Sequence, residues 1–240
     1  MAGGPSALDT LAAVLDRADA ARSGGRREGT EVVPLGPKAA KTRQHLLIIG
    51  YDQMVRRGYL ATSVEHIHEA AGVSLGTYYQ YFRDKVDLMR TLVGEAILDT
   101  ASTMFRPLDL REPEQGIRAV IDSFVHGYAN TAEFQRVWEE ATHVDDELAA
   151  LRRDVSRLLD GALSEAIVEA QRAGTADPEL DPGPTSRALA AMVDRYCYLT
   201  FVVETDQPRT PEETVETLVR LWTNALGIRP RKVRTGRRSK

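Results

Sequence analysis

Ser63-Val64-Glu65-His66-Ile67-His68-Glu69-Ala70-Ala71-Gly72-Val73-Ser74-Leu75-Gly76-Thr77-Tyr78-Tyr79-Gln80-Tyr81 is the stretch that decides the fold. Ser63 caps a short helix that stops at Gly72, since a serine oxygen accepts an orphan N–H of the first turn and glycine tolerates the left-handed end. Ser74 caps a second helix, Leu75 to Tyr81, after the tight turn Ala71-Gly72-Val73-Ser74. Upstream, Lys41 to Arg57 reads as a helix closed by Gly58. Three short helices with a tight turn between the last two make the helix-turn-helix pattern, whose second member enters the major groove of DNA.

Downstream the pattern stays helical. Asp84 and Asp87 open a long helix on Val86, Met89, Leu92, Val93, Ile97, Met104 and Phe105, with negative charge near the positive end of the helix dipole. Ile117, Val120, Ile121, Phe124, Val125 and Tyr128 keep i, i+3, i+4 spacing, and Asn130 with Glu133 offers a cap for a helix carrying Phe134, Val137, Trp138 and Ala141. Leu148 to Ile167 marks a long helix ending at Gly174, and Thr185 opens another through Leu189, Met192, Val193, Tyr196 and Leu199. Thr210-Pro211-Glu212-Glu213 is a capping box with proline at the first helical position, followed by Val215, Leu218, Val219, Trp222 and Leu226. No alternating strand pattern or Asn-Gly hairpin is evident, so the expected fold is all-α.

Before the module, Ser6 to Arg22 reads as a short amphipathic helix, and the Gly- and Pro-interrupted run to Pro37 as a flexible linker. The expected organisation is an N-terminal extension (1–37), a three-helix DNA-binding domain (38–89), a helical bundle (90–228) and a basic tail (229–240). Charge is segregated along the chain: net −1 over residues 1–37, +3 over 38–90, −13 over 91–228 and +7 over 229–240, for −4 overall. An acidic body repels a polyanion along most of its surface, so nucleic acid must meet the ends. The tail reads as a solvated terminus, whereas Lys38, Lys41 and Arg43 border the module as phosphate or minor-groove contacts.

Cys197 is the sole cysteine, no basic start is followed by an apolar signal run, and no eighteen consecutive apolar residues occur. These features point to a reducing cytoplasm and to no membrane span. An enzyme is not expected. Glu139 and Glu140 are adjacent on a helix and diverge by about 100°, Cys197 sits in an apolar run, and neither a phosphate loop nor a two-histidine zinc spacing appears. His66 and His68, two apart on a helix, point away from each other, so His68 reads as a packed or hydrogen-bonded histidine. No metal and no cofactor are expected.

Gly58-Tyr59, Thr62-Ser63-Val64, Ile67, Ala70-Ala71-Gly72-Val73-Ser74, Gly76-Thr77, Tyr79, Tyr81-Phe82, Lys85 and Leu88 together resemble the tetracycline-repressor (TetR) family of bacterial regulators across residues 42 to 90. The resemblance implies a homodimeric DNA-binding regulator, usually a repressor, released by a ligand, with residues 90–228 as its ligand-binding and dimerisation domain. Leu75 departs from it, since Lys or Arg is frequent there and leucine offers only apolar contact, for instance to a thymine methyl.

The DNA-contact candidates are Lys41, Thr62, Ser63, Ser74, Leu75, Gly76, Thr77, Tyr79, Gln80, Tyr81 and Lys85. Gly76 lets the duplex backbone approach, Thr77 and Gln80 present polar groups to base edges, Tyr79 and Tyr81 offer hydroxyls to phosphates, and Thr62, Ser63 and Lys85 place donors at helix starts. A two-fold dimer implies a palindromic double-stranded operator. The resemblance places its interface on the last two helices, with Leu189, Val193, Val215, Leu218 and Trp222 as candidates and burial inside one subunit as the competing reading. Met104, Phe124, Tyr128, Phe134, Trp138, His143, Met192 and Tyr196 are candidate walls of a cavity for a hydrophobic small-molecule effector, with His126, Glu140 and Thr142 as orienting groups. Control by a protein partner without a small molecule is the alternative.

Overall fold

The computed structural model describes residues 26–28, 31–33, 36–104, 112–203, 206 and 209–228. The expected helix at Ser6 to Arg22 and the basic tail from Arg229 lie outside them. Nine α-helices are described: α1 Pro37–Arg57, α2 Val64–Ala70, α3 Leu75–Tyr81, α4 Lys85–Met104, α5 Pro113–Asn130, α6 Ala132–Val144, α7 Asp146–Arg172, α8 Pro182–Tyr198 and α9 Pro211–Ala225. A π-helical turn, Leu199–Val203, continues α8. The fold is helical throughout the module and bundle. One correction falls in the expected linker, where β1 (Arg26–Glu28) pairs antiparallel with β2 (Glu31–Val33). Strands of three residues are too short to give a period-2 signal.

Local chemistry sets most helix ends. Ser63 accepts from the His66 N–H while the His66 ring accepts from the Ser63 N–H, a reciprocal capping box with histidine in the glutamate's place. Ser74 caps α3 by accepting from Thr77 N–H, and Thr210 and Glu213 form the expected box at α9. Helix α1 begins at Pro37, ahead of Lys41, because proline's fixed φ suits a first turn. Asn130 does not cap α6: it ends α5, and the Thr131 hydroxyl donates back to Gly127 O. Helix α8 starts at Pro182, where Asp181 accepts from the Gly183 N–H.

Two apolar clusters divide the interior. One joins α5, α7, α8 and α9 through Ile117, Ile121, Val125, Ile167, Leu189, Val193, Leu218 and Trp222. The other joins Leu46, Leu47, Met54, Ile67, Tyr78 and Leu88 of the module to Phe134, Val137 and Ala141 of α6 and Leu148 of α7. The module therefore has no closed core of its own, because one face of α6 completes it.

Candidate nucleic-acid interface

Helix α3 is pinned from within. Tyr78 is fully buried and donates its hydroxyl to Asp84 O at 2.9 Å, and its ring meets Phe82 at a 5.7 Å centroid distance. Burial, with Asp84 and Asp87 nearby, holds the Tyr78 phenol protonated far above its ordinary range. With Tyr78 inward, the rest of a seven-residue helix must face out. Leu75, Gly76, Tyr79 and Gln80 are exposed, Leu75 by 37% and Tyr79 by 48%. A Cβ on Gly76 would find only Ser74 Oγ, at 3.9 Å, so nothing in the chain itself demands glycine there. Thr77 is half-exposed and its hydroxyl is shared with Ser74 Oγ at 2.9 Å. Tyr81 is half-buried against the module core. Lys41 lies exposed on α1.

The structure turns several other candidates inward. Thr62 is buried and donates to Gly58 O at 2.7 Å and Gln53 O at 3.2 Å. Ser63 is occupied as the α2 cap. Lys85, read as a phosphate donor, sends its ammonium to Tyr59 O at 2.6 Å and Thr62 O at 2.7 Å, 4.0 Å from the centre of the Tyr59 ring. Burial draws its pKa below the usual lysine range, with Glu140 and Asp145 opposing the shift. Arg43 is buried too, its guanidinium 5.6 Å from the Phe82 ring centre. For Lys85 the turn after α1 folds back over the helix start and supplies two carbonyls that a sequence window cannot anticipate. His68 is part-buried with Nδ1 3.0 Å from Val73 O.

That turn is held by a residue expected at the cavity and not at the module. Glu140 of α6 accepts from the backbone N–H of Tyr59 at 2.9 Å and of Leu60 at 3.0 Å. Gly58 precedes them with φ +86° and ψ 162°, and a Cβ there would lie 2.9 Å from a Glu140 carboxylate oxygen. This backbone region is essentially glycine's alone. Gly58→Ala should therefore cost about 1 to 3 kcal/mol, read as a lower urea midpoint with an unchanged slope.

The cavity candidates separate. Phe124, Tyr128, Met192 and Tyr196 share the bundle cluster, with Phe124 and Tyr128 at a 5.7 Å ring distance. Phe134 and Trp138 belong to the module cluster, and Phe134 stacks on Tyr51 at 5.5 Å. His143 is exposed with Nδ1 2.7 Å from Glu139 O. Met104 ends α4, but its side chain lies outside the described residues. Leu189, Val193, Val215, Leu218 and Trp222 are all buried in the chain's own core, which is the competing reading of those positions. Their apolar wheels are consumed by the packing of α9 on α5 and of α8 on α7.

A polar group lies within the bundle. Arg152 of α7 pairs with Glu139 of α6, bonds Thr142 Oγ1 at 3.2 Å and reaches Asp194 of α8 at 3.5 Å. Burial raises the Asp194 pKa, with Arg152 opposing and Glu139 adding to the rise. Cys197, one turn on, is buried, and its thiol is pushed up to about 12, chiefly by burial and then by Asp194, which leaves it inert at neutral pH. Among the described residues no group of three or more histidine, cysteine, aspartate or glutamate side chains is placed to hold a metal, and no helix is long and apolar enough to cross a membrane.

A capped helix pair whose second member exposes polar and aromatic side chains defines a helix-turn-helix DNA-binding protein. The model for bacterial regulatory proteins of the tetR family matches residues 50–92. Similar proteins include the HTH-type transcriptional repressor BepR of Brucella suis, 27% identical over 65% of this chain and 78% of BepR. The HTH-type transcriptional regulator EthR of Mycobacterium tuberculosis is 28% identical over 68% of this chain and 77% of its own. In fold the chain is similar to NalD, the secondary repressor of the MexAB-OprM multidrug efflux pump in Pseudomonas aeruginosa, with a TM-score of 0.66 at 20% identity over 80% of this chain and 98% of NalD. The fatty acid degradation regulator FadR of Bacillus halodurans gives 0.62 at 22%, over 81% and 99%. The chain thus carries the DNA-binding module of the tetR family of bacterial regulatory proteins, and the proteins it is similar to over most of its length are transcriptional regulators rather than enzymes.

Proposed function

We propose that the chain is a homodimeric cytoplasmic repressor that holds a palindromic operator through α3 and releases it when a hydrophobic small molecule enters the bundle. The observation that carries this is the outward face of α3, where Leu75, Gly76, Tyr79 and Gln80 stand free while Tyr78 anchors the helix. Gln80 is the base reader, its amide suited to the paired adenine edge atoms, and Tyr79 and Lys41 are backbone contacts. Residues 38–89 form the reading domain and 90–228 the regulatory one. For the effector, the support is the gathering of Phe124, Tyr128, Met192 and Tyr196 beside the Arg152 group, an apolar lining with a few polar atoms. NalD is the secondary repressor of a multidrug efflux pump and FadR a regulator of fatty acid degradation. For the dimer, the support lies on the outer faces of the last two helices, where Ala188 and Ala191 are exposed on α8 and Leu221 is 44% exposed on α9.

Selection from random duplex DNA tests the reading. The expected consensus is a palindrome with half-sites about 10 base pairs apart, or a multiple. Gln80→Ala should relax the consensus at one position per half-site and cost roughly 1 to 3 kcal/mol, while Tyr79→Phe should weaken all duplexes alike. An unchanged consensus and affinity in Gln80→Ala would remove it as a reader. A single-chain mass in sedimentation at micromolar protein would remove the dimer.

A further inference from the structure

Helix α6 bears two neighbouring carboxylates that serve opposite sides of the molecule. Glu139 faces the bundle, paired with Arg152 and with Arg195 at 3.8 Å. Glu140, rotated by about 100°, faces the module and takes the N–H groups of Tyr59 and Leu60. The same turn is held from its other side by Lys85, which takes the carbonyls of Tyr59 and Thr62. Residues 59–62 are thus gripped between a carboxylate from the bundle and an ammonium from the start of α4. Ser63, the next residue, caps α2, which packs on α3. Two further contacts keep α6 against α1: the Tyr51 ring on Phe134, and Arg136 donating to Val55 O at 2.9 Å.

We infer that Glu140 is a positioning residue that sets the orientation of the DNA-reading module on the bundle. A carboxylate accepting two backbone N–H groups makes charge-assisted bonds, stronger and more directional than apolar contact. Gly58 leaves room for no side chain between that carboxylate and the turn. The inference rests on α3 being the reading helix.

Spin labels at Gln44→Cys on α1 and Arg153→Cys on α7, both exposed positions, report the module-to-bundle distance, and the buried Cys197 stays unlabelled. Labelled chain is diluted into excess unlabelled protein so that only pairs within one chain are read. In Glu140→Gln, where an N–H donor replaces one acceptor oxygen, the distance distribution should broaden. Affinity for a duplex selected by the parent protein should fall by about tenfold, within the usual range of site-to-site coupling, at a temperature where thermal unfolding verifies a folded protein. A parental distance distribution, or a broadened one with parental affinity, overturns the inference. Glu140→Asp, which keeps the charge but draws the oxygens back, is held to the same outcomes should the glutamine variant not fold. If the parent selects no duplex, the reading of α3 fails, while the distance arm still decides whether Glu140 orients the module.

Discussion

Lys85→Ala should melt roughly 4 to 16 °C below the parent and lose DNA binding because the module loosens, with no phosphate contact involved. Its ammonium satisfies two backbone carbonyls and lies over the Tyr59 ring. Hydrogen bonds to a charged group are worth about 1.5 to 3 kcal/mol each, and a cation over an aromatic face about 0.5 to 2. Half-burial reduces the sum, so a loss of about 2 to 4 kcal/mol is expected, at about 2 to 4 °C per kcal/mol for a chain of this size. Two measurements separate the readings. A phosphate contact predicts an unchanged melting temperature and a salt dependence shallower by about one ion, whereas the inward lysine predicts lower stability with the salt slope kept in whatever fraction remains folded. An unshifted melt with a reduced slope would restore Lys85 to the DNA surface.

Arg152→Ala should cost about 1 to 3 kcal/mol and reshape the pH dependence of stability. Removing one partner of a buried ion pair strands the other charge at a cost of about 3 to 5 kcal/mol, lowered here because a third of the Arg152 side chain is exposed. What it strands is Glu139 together with Asp194, whose pKa burial already raises and Arg152 holds down. The sign follows from linkage: a carboxyl whose folded pKa lies above its unfolded value favours folding when protonated. Its contribution is full below the unfolded value, 3.8 for aspartate, and is lost as pH rises through the folded value. Without Arg152 the folded value moves further up, so the variant should match the parent most closely in acid and fall behind it as pH rises toward neutrality. Asp194→Asn added to Arg152→Ala should flatten that decline, since the amide does not titrate. Parallel stability curves for parent and variant across pH 4 to 7 would show that Arg152 does not govern Asp194.

The helix-turn-helix was legible because everything that shapes it is short-range. Ser63, Ser74 and Thr210 each cap their helix by accepting from the N–H three residues on. Gly72, Gly174 and Gly227 take φ of +66°, +70° and +66° at helix ends that their position in the chain already marked. The outward set on α3 was legible too, because in a seven-residue helix the burial of Tyr78 leaves its neighbours on the open side. Lys85 was not, since its partners Tyr59 and Thr62 lie 26 and 23 residues away. A lysine at a helix start looks the same in sequence whether it faces a phosphate or a carbonyl.

The bundle shows the same boundary at longer range. Apolar spacing on α5 to α9 announced buried faces correctly but not which partner each face meets. Phe134 and Trp138 complete the module's core, Phe124 and Tyr128 sit in the bundle's, and Leu189, Val193, Val215, Leu218 and Trp222 are buried inside one chain. Glu140 acts 81 and 80 residues from the N–H groups it accepts. The Gly58 that makes room for it reads in sequence only as a helix stop. By itself the sequence determined the helices, the caps at Ser63, Ser74 and Thr210 and the helix-turn-helix pair, because hydrogen bonds within one turn and a 3.6-residue period are local physics. The tertiary structure alone decided which charges became internal clamps and which aromatic side chains share a core, because those depend on where non-neighbouring helices cross, and periodicity carries no information about the partner.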